Sequence, residues 1–332
     1  QEDTAFLQYT GGTTGVAKGV MLTHGNLVAN VQQMRAWLAR DLVDGKEMFA
    51  CPLPLYHVYA LTSSLVLLAI GAHTILITNP RDMHACIHDL RKYPFTVIIG
   101  VNTLYRALLD APEFAAVDTQ SLKLTSAGGM AVQRVVAERW KQRTGVTIIE
   151  GYGLTETSPV VIANPLNIPE WSGTIGLPIP STLATILDEQ GAELPVGELG
   201  EIGVRGPQVM HSYWNRPDET AKVFTPEGWL RTGDMGYVDE RGYFSITDRK
   251  KDMIVVSGFK VFPNQIEDAV ALHPGVAEVA AVGEPDERSG EVVKIIVVKQ
   301  DAALTEQALL EHCRQYLTGY KVPKIVEFRT EP

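Results

Sequence analysis

Residues 122–149 read LKLTSAGGMAVQRVVAERWKQRTGVTII. This stretch predicts a strand at Leu122–Ser126, a helix at Ala131–Arg143 and a second strand at Val146–Ile149. One face of the predicted helix carries its apolar residues Val132, Val135, Val136 and Trp140. Because short apolar strands that alternate with amphipathic helices form parallel sheets covered on both faces, the stretch predicts an α/β fold.

The same alternation extends over residues 4–150. Thr4–Tyr9 is predicted to be a core strand, and Thr23 is predicted to be the N-cap of a helix. Further predicted elements are a helix from Asp82 to Tyr93, a strand at Phe95–Ile99 and a helix at Leu104–Leu109. We therefore expect parallel sheet layers covered by helices.

The rest of the chain has a different pattern. Gly and Pro recur between short β-prone runs over residues 171–247, which predicts a small β barrel or sandwich. The charged run Asp248–Asp252 then stands where a linker is expected, ahead of a smaller α+β domain. The predicted organisation is a large domain at 1–247, made of an α/β region (1–170) and the β unit (171–247), then a linker at 248–252 and a truncated small domain at 253–332.

The composition excludes several classes of protein. Hydrophobic residues make up 45% and charged residues 20% of the 332 residues, which is typical of a globular chain. Lys and Arg number 29 against 39 Asp and Glu, and the resulting net charge of −10 argues against a nucleic-acid partner. The three cysteines lie far apart, without the spacing of a zinc site, and they suit a reducing cytoplasm.

Neither a membrane span nor a signal peptide is predicted. The most apolar stretch, Leu61–Ala72, is about a dozen residues long, whereas a membrane span needs about 20. Because the sequence begins with Gln1 and continues directly into a strand, we expect it to be an internal piece of a longer protein.

A stretch rich in glycine and threonine follows the first predicted strand. It contains Thr10, Gly11, Gly12, Thr13, Thr14, Gly15 and Lys18. Glycines allow backbone N–H groups to turn toward an anion, while the hydroxyls add donors and the lysine adds a positive charge. The stretch predicts a polyphosphate-binding loop, although its spacing is not that of a Walker A motif. The alternative interpretation is the tip of a hairpin.

Five motifs follow one another along the chain: Tyr9–Gly19, Gly151–Glu156, Thr232–Asp234, Asp248–Asp252 and Ser257–Val261. In these motifs the chain resembles the adenylate-forming superfamily, which includes acyl-CoA synthetases, peptide-synthetase adenylation domains and luciferases. The resemblance implies that a carboxylate reacts with ATP to give an acyl-adenylate and pyrophosphate, and that the thiol of coenzyme A (CoA) then accepts the acyl group. It implies ATP, Mg²⁺ and CoA as cofactors.

The resemblance also implies a role for each residue around the nucleotide. Tyr152 would pack on adenine, flanked by Gly151 and Gly153. Thr155 would contact the α-phosphate, and Glu156 would hold Mg²⁺, which prefers one or two carboxylates plus substrate phosphates. A further segment follows the predicted parallel strand Leu122–Ser126 and consists of Gly128, Gly129 and Met130. Its glycines would let a flat ligand approach the backbone at the end of that strand.

The last three motifs carry further expected roles. By resemblance, Asp234 accepts hydrogen bonds from both ribose hydroxyls, and Arg249 also contacts the ribose. Lys251 matches the hinge about which the small domain rotates between the two reaction steps, and we count it with Thr155 and Glu156 as catalytic. Three residues match the segment beside CoA, with the lysine facing a CoA phosphate: Ser257, Gly258 and Lys260.

The acid substrate is expected to bind around the apolar helix Ala60–Ile70. The resemblance places the acyl pocket at His57, Val58, Gly100, Val101 and Gly128, with His57 as its gate. The alternative for His57 is a structural hydrogen bond at the helix N-terminus. Amino-acid-activating relatives carry an Asp in this region, and none stands between Pro52 and Gly71, so a buried substrate amine would be left unpaired.

Within the superfamily the chain is most similar to bacterial long-chain fatty-acid–CoA ligases. The expected partners are therefore a fatty acid, ATP and CoA, in the cytoplasm, with peripheral contact at the inner face of the membrane and homodimerisation left open. The alternatives are an adenylation domain that loads another acid onto a carrier protein, and a non-catalytic nucleotide- or acyl-binding module. Family members carry a Gly-Lys motif near their C-terminus, and its absence here leads us to expect weak adenylation.

Overall fold

The structure is a computed structural model that describes residues 2–10 and 17–330. The chain divides into two compact units. The first comprises Gln1–Glu198, Ile202–Thr232 and Val238–Ser245, and the second comprises Leu199–Glu201, Gly233–Tyr237 and Ile246–Pro332. Each unit is described by itself.

The described residues form eight α-helices and nineteen strands. The α-helices are α1 (His24–Leu38), α2 (Val58–Ala69), α3 (Met83–Lys92), α4 (Asn102–Asp110), α5 (Arg134–Thr144), α6 (Pro217–Val223), α7 (Pro263–Ala271) and α8 (Glu306–Tyr316). The first strands are β1 (Thr4–Thr10), β2 (Lys18–Thr23), β3 (Met48–Cys51), β4 (His73–Leu76), β5 (Val97–Gly100), β6 (Leu124–Ala127), β7 (Ile148–Gly153), β8 (Val160–Ala163) and β9 (Leu177–Pro178). The remaining strands are β10 (Leu183–Leu187), β11 (Gly200–Arg205), β12 (Ser212–Tyr213), β13 (Leu230–Val238), β14 (Phe244–Arg249), β15 (Ile254–Val256), β16 (Phe259–Val261), β17 (Val276–Asp286), β18 (Gly290–Lys299) and β19 (Ile325–Arg329).

The predicted parallel sheet forms the centre of the first unit. Its strand order is β4-β3-β5-β6-β7-β8-β9, and the five strands from β4 to β7 run parallel while β8 and β9 are antiparallel additions. Side chains alternate between its faces, as the pleat requires. Ile98 packs in the core with Trp140, whereas Val97 and Ile99 pack in a second core with residues of α2. Helices therefore cover both faces, which confirms the predicted α/β class.

Cap residues define the helix boundaries, as the sequence predicts. Thr23 accepts a hydrogen bond from the backbone of Asn26 while the Asn26 side chain accepts one from Thr23, so the pair forms a capping box at the start of α1. Asp82 accepts from the backbone of Ala85 and begins α3. Both predicted caps are confirmed.

Two sequence-based expectations about the first unit are wrong. The strand at Thr4–Tyr9 is not a core strand, because β1 is the edge of a separate antiparallel sheet, β1-β2-β12, and its side chains are half-buried or exposed. Val135 is 47% exposed, and Ala137 takes its place in the core beside Val136 and Trp140. The buried face of α5 is thus turned away from Val135 and toward Ala137.

A four-stranded sheet with the order β10-β11-β13-β14 follows. Phe244 of β14 also forms an isolated antiparallel bridge with Gly176. The small barrel or sandwich expected for residues 171–247 stays a prediction for this sheet. Its core residues include Ile202 and Val204, both of which are fully buried.

The second unit contains a mixed sheet with helices against it. The order is β16-β15-β18-β17, and β19 pairs with β18 in parallel. Its core residues include Ile266, Val270, Ile295, Leu309 and Cys313. This is the smaller α+β part that the sequence predicts. Among the residues that the structure describes, no helix has both the length and the apolar character needed to cross a membrane.

Candidate functional site

Three glycine-containing loops meet at the carboxyl ends of the parallel strands. Gly100 ends β5 and pairs with Ala127 of β6, and the backbone N–H of Gly128 donates to the carbonyl of Gly100 at 3.4 Å. A Cβ at Gly128 would lie 3.3 Å from the carbonyl oxygen of Gly151. Because ligands of open parallel sheets bind at this edge, the predicted acyl and nucleotide residues of these loops lie where a ligand is expected.

Tyr59 is a residue of this region that the sequence analysis missed. Its hydroxyl lies 2.9 Å from Ser126 Oγ, and its ring carbons would be 3.4 Å from a Cβ at Gly128. Burial raises the pKa of Tyr59, so its hydroxyl stays protonated. The only sequence signal for it is its position two residues after His57. The absence of a side chain at Gly128 lets the Tyr59 ring lie against the backbone.

His57 and Val58 occupy the start of α2. His57 is exposed, and its Nδ1 accepts a hydrogen bond from the backbone N–H of Tyr59 at 3.3 Å, so the imidazole acts as a helix N-cap. Val58 is 2% exposed and belongs to the core. The structural hydrogen bond that the sequence left open as an alternative is therefore present, and the role of His57 as a gate stays a prediction.

The segment after β6 projects toward solvent. Gly129 has a φ of +81°, a conformation that favours glycine, and Met130 is 49% exposed. Glu150 is a second residue that the sequence analysis missed. Its carboxylate accepts hydrogen bonds from the Val132 backbone at 3.0 Å and from Trp171 Nε1 at 2.7 Å, and it thereby ties two loops to β7.

The motif Gly151–Glu156 forms the end of β7 and the 3-10 turn Thr155–Thr157. A Cβ at Gly153 would lie 2.0 Å from the Pro159 carbonyl oxygen, so this position requires glycine. Tyr152 is 8% exposed, while Thr155 and Glu156 are half-buried at the turn. The predicted phosphate and metal residues are thus adjacent and accessible.

The structure links Lys18 to Glu156 through Tyr213, which the sequence analysis missed. The Tyr213 hydroxyl donates to Glu156 Oε1 at 2.6 Å, and Lys18 Nζ lies 4.8 Å from the centre of the Tyr213 ring. Lys18 also forms an ion pair with Glu219 at 3.0 Å. The predicted phosphate-binding lysine and the predicted metal-binding carboxylate therefore belong to one polar cluster in the first unit.

Most of the predicted phosphate loop falls outside the described residues, namely Gly11, Gly12, Thr13, Thr14 and Gly15. Its described ends belong to a hairpin, because β1 and β2 are antiparallel and Thr10 pairs with Lys18. The two interpretations of this stretch, a hairpin and a phosphate-binding loop, are therefore compatible with each other.

In the second unit, Asp234 and Arg249 are brought together. Arg249 Nε lies 3.8 Å from Asp234 Oδ1, and the aspartate side chain is 13% exposed against 56% for the arginine. Nearby, Glu201 accepts hydrogen bonds from the Gly233 backbone at 3.0 Å and from Lys250 Nζ at 3.3 Å. The two residues expected to contact the ribose thus lie side by side within this unit, and their role stays a prediction.

The charged run after β14 is more structured than a linker requires. Asp248 is 5% exposed and accepts hydrogen bonds from the backbone N–H groups of Arg249 and of Asn264, the second residue of α7. Burial raises the pKa of Asp248. Lys251 lies in the exposed turn that follows, and its role as a hinge stays a prediction.

The predicted CoA segment is a hairpin turn. Ser257 and Gly258 have φ values of 50° and 83°, the pattern of a type I′ turn between β15 and β16. Lys260 is exposed on β16, and the neighbouring Phe259 stacks on Tyr320 with ring centres 4.9 Å apart. The segment therefore presents an aromatic pair and a lysine to solvent.

The donors around Glu156 suit Mg²⁺ bound mainly by substrate. Among residues 2–10 and 17–330 no group of three or more His, Cys, Asp or Glu side chains is arranged to hold a metal ion. Glu156 is half-buried and accepts the Tyr213 bond through Oε1. A single accessible carboxylate fits an ion that takes its other ligands from phosphates and water.

Comparisons with known proteins agree with this geometry. The model of the AMP-binding enzyme family matches residues 1–214, and that of the AMP-binding enzyme C-terminal domain matches residues 265–331. The chain is 57% identical over 331 residues to a long-chain-fatty-acid–CoA ligase of Escherichia coli O6:H1, covering 99% of this chain and 59% of that relative. It is 43% identical to the enzyme of that name from Bacillus subtilis, covering 100% and 59%.

Solved structures show the same fold. ATP-bound MatB from Rhodopseudomonas palustris matches with a TM-score of 0.90 at 34% identity, covering 99% of this chain and 65% of that one. MenE from Bacillus subtilis, in complex with its acyl-adenylate intermediate, matches with a TM-score of 0.86 at 28% identity, covering 99% and 66%. The chain spans about three fifths of the length of the relatives it matches, 59% for the first of them. A family model over residues 1–214 and a second over 265–331 show that this chain belongs to the adenylate-forming AMP-binding enzyme family.

Proposed function

We propose that this chain carries the ATP-dependent activation of a long-chain fatty acid and its transfer to CoA. In the first step a carboxylate oxygen attacks the α-phosphorus of ATP, which forms acyl-AMP and releases pyrophosphate. In the second step the CoA thiol loses its proton and attacks the acyl carbon, which forms the thioester and releases AMP. The protein is on this proposal an acid–thiol ligase.

One observation carries the proposal. Lys18 lies over the ring of Tyr213, and Glu156 accepts a hydrogen bond from the hydroxyl of the same side chain. The tyrosine therefore holds a cation at its ring and a carboxylate at its hydroxyl. Attack at the α-phosphorus depends mainly on alignment and on neutralisation of charge. A lysine for the phosphates and a carboxylate for their metal ion meet that demand.

The relatives support the choice of substrates. Those with 52–57% identity are long-chain-fatty-acid–CoA ligases, and the solved structures include an ATP complex and an acyl-adenylate complex. The described residues between Pro52 and Gly71 include no carboxylate that would pair with a substrate amine. A fatty acid therefore suits this region better than an amino acid does.

In the first unit we assign the phosphates to the glycine/threonine stretch, Lys18 and Thr155, and the Mg²⁺ to Glu156. When bound, Mg²⁺ would neutralise phosphate charge there. We assign the acyl group to the loops at the ends of β5 and β6, with His57 as the gate. The half-buried Tyr59, whose hydroxyl bonds to Ser126, would form part of the wall of that pocket.

In the second unit we assign the ribose to Asp234 and Arg249. The carboxylate would accept hydrogen bonds from a vicinal diol, and the guanidinium lies 3.8 Å from it. We assign the hinge to Lys251 and the CoA phosphate to Lys260. The exposed pair Phe259 and Tyr320, stacked beside Lys260, supports a ligand surface at this turn.

The reaction is tested in two halves. Pyrophosphate release is measured with a panel of acids of graded length, and thioester formation is measured from synthetic acyl-AMP with either CoA or a phosphopantetheinyl carrier protein. We expect transfer to CoA. Transfer to the carrier alone would instead favour the carrier-loading function, and binding of AMP without either half-reaction would favour a non-catalytic module.

Asp234 is tested separately by calorimetry with AMP. We expect Asp234→Ala to weaken AMP binding by about 10²-fold, because two hydrogen bonds to a charged acceptor are lost. The control is Asp239→Asn, which removes a half-buried carboxylate paired with Arg241. Unchanged AMP affinity in Asp234→Ala would remove Asp234 from the ribose site.

Homodimerisation and peripheral contact with the inner face of a membrane belong to the proposal as well. A fatty substrate enters from a lipid phase, and exposed apolar side chains such as Leu55 and Tyr56 precede α2. Light scattering on the purified chain and sedimentation with phospholipid vesicles test the two points independently.

A further inference from the structure

The helix α6 places a carboxylate on the lysine of the phosphate-binding hairpin. Glu219 Oε2 lies 3.0 Å from Lys18 Nζ, although the two residues are far apart in the sequence. Both belong to the first unit. The pair is about one-third exposed on each side, 33% for the lysine and 31% for the glutamate. The Lys18 amine, which the proposed function assigns to polyphosphate, is therefore already paired with a carboxylate.

Glu219 has a second cation within reach. Its other oxygen, Oε1, accepts a hydrogen bond from Lys222 Nζ at 2.6 Å, one turn along the same helix. The bonds to Lys222 and to Lys18 lower the pKa of Glu219 to about 2, so the carboxylate is charged at neutral pH. If the Lys18 amine moves to a phosphate group, the Glu219 carboxylate therefore remains paired with Lys222.

Lys18 also keeps a neighbour if Glu219 is replaced. Its amine lies 4.8 Å from the centre of the Tyr213 ring, and that contact does not involve Glu219. Exposed ion pairs are weak, whereas phosphate groups form strong charge-assisted hydrogen bonds with lysine. A polyphosphate can therefore displace Glu219 from Lys18 while the lysine stays at Tyr213, beside Glu156.

We propose that Glu219 is the resident counter-anion of Lys18, which holds the lysine at Tyr213 when no nucleotide is bound and yields it to the phosphates of ATP. The inference rests on the proposed function, since it takes Lys18 as a phosphate ligand. Glu219 is a positioning residue that competes with ATP. Its removal tightens the binding of ATP, which carries three phosphates, more than that of AMP, which carries one.

The test is calorimetry with MgATP and with AMP on the full chain. Glu219→Gln preserves the size of the side chain and removes its charge, and we expect MgATP to bind three- to tenfold more tightly while AMP affinity changes less than twofold. Glu219→Ala, which also removes the charge, is expected to tighten MgATP binding and to change AMP affinity less than it changes MgATP affinity. Asp218→Asn, which removes the same charge from the exposed neighbouring residue, is expected to change MgATP affinity less than twofold.

A double-mutant cycle with Lys18→Met identifies the partner. In that background Glu219→Gln is expected to leave MgATP affinity unchanged, because the amine for which Glu219 and ATP compete is gone. The inference is overturned if Glu219→Gln leaves MgATP affinity unchanged in the otherwise native chain, or if its gain persists with Lys18→Met. Failure of the native chain to bind either nucleotide would overturn the proposed function as well, whereas MgATP binding that depends on Lys18 but not on Glu219 would overturn the inference alone.

Discussion

The hydroxyl of Tyr213 donates a hydrogen bond of 2.6 Å to Oε1 of Glu156. Tyr213 lies in the short strand β12, which pairs with β2, the strand that begins at Lys18. The same pairing that builds the small sheet therefore sets the tyrosine between the lysine and the carboxylate. Burial, and then the charge of Glu156, raise the pKa of Tyr213, so the hydroxyl remains a donor at neutral pH.

Glu156→Gln is expected to remove the negative charge of residue 156 while the hydrogen bond from Tyr213 is kept. The amide oxygen can still accept the Tyr213 hydrogen bond, so the fold and AMP binding in the absence of Mg²⁺ should be retained. The rate of pyrophosphate release should fall by about 10²-fold, as is typical for the loss of one electrostatic contact to a reacting phosphate. A rate within threefold of the native value would contradict the assignment of Mg²⁺ to Glu156.

His57→Asn is expected to distinguish a cap from a gate. Asparagine is among the preferred N-cap residues, so the variant should keep the start of α2, whereas His57→Ala should cost about 1 kcal/mol of unfolding free energy. If His57 gates the acyl pocket, His57→Asn changes the ratio of kcat/KM between long and short acids several-fold. An unchanged chain-length profile in a stably folded His57→Asn protein would leave His57 as a cap only.

His273 is expected to make the stability of the second unit depend on pH. Burial lowers its pKa, and His312, with ring centres 5.1 Å apart, lowers it further, while Asp301 opposes the shift. The folded state therefore favours the neutral imidazole. Its contribution is complete above the ordinary pKa of about 6.5 and is lost as the pH falls below it toward the lower folded value.

We expect the urea midpoint of the native chain to fall between pH 7.5 and pH 5.5, and His273→Asn to flatten that dependence. Asparagine can still accept the bond that Nδ1 receives from the Gly275 backbone. The exposed His88→Asn is the matched control and should leave the pH dependence as it is. An equal fall in His273→Asn and in the native chain would show that other groups are responsible.

Trp140→Ala is expected to destabilise the first unit by about 3–5 kcal/mol, the usual cost of truncating a large buried aromatic residue. The ring is fully buried between Tyr105 and Phe114, and Nε1 donates to Thr125 Oγ1 at 3.0 Å. Val135→Ala, on the exposed side of the same helix, should change the unfolding free energy by less than about 0.5 kcal/mol. Comparable losses in urea denaturation would refute the assignment of these two faces.

Much of the architecture can be predicted because its signals are local. The alternation of apolar strands and amphipathic helices over residues 122–149 identifies parallel strands, and Thr23 and Asp82 mark helix starts through bonds to residues three positions away. The five motifs identify the family because their residue types and order can be read without coordinates. The comparisons confirm this family and the α/β class.

Contacts between distant segments could not be read in this way. The pairing of β1 with β2, which in turn pairs with β12, places the first strand outside the parallel sheet, and α5 buries Ala137 in place of Val135. His57 was recognisable as a histidine ahead of a helix, but its cap bond depends on where its ring points. Burial depends on what packs against a face, and a local pattern does not specify that partner.

The polar cluster is the strongest example. Lys18 and Glu156 stand out in the sequence because of their motifs, whereas Tyr213 and Glu219 belong to no motif considered there. They reach Lys18 because β12 pairs with β2 and α6 follows β12. Residue types and their local spacing thus indicate which chemistry a chain can perform. Strand pairing over long sequence separations determines which charged side chains come into contact, because ion pairs and hydrogen bonds depend on distance in space.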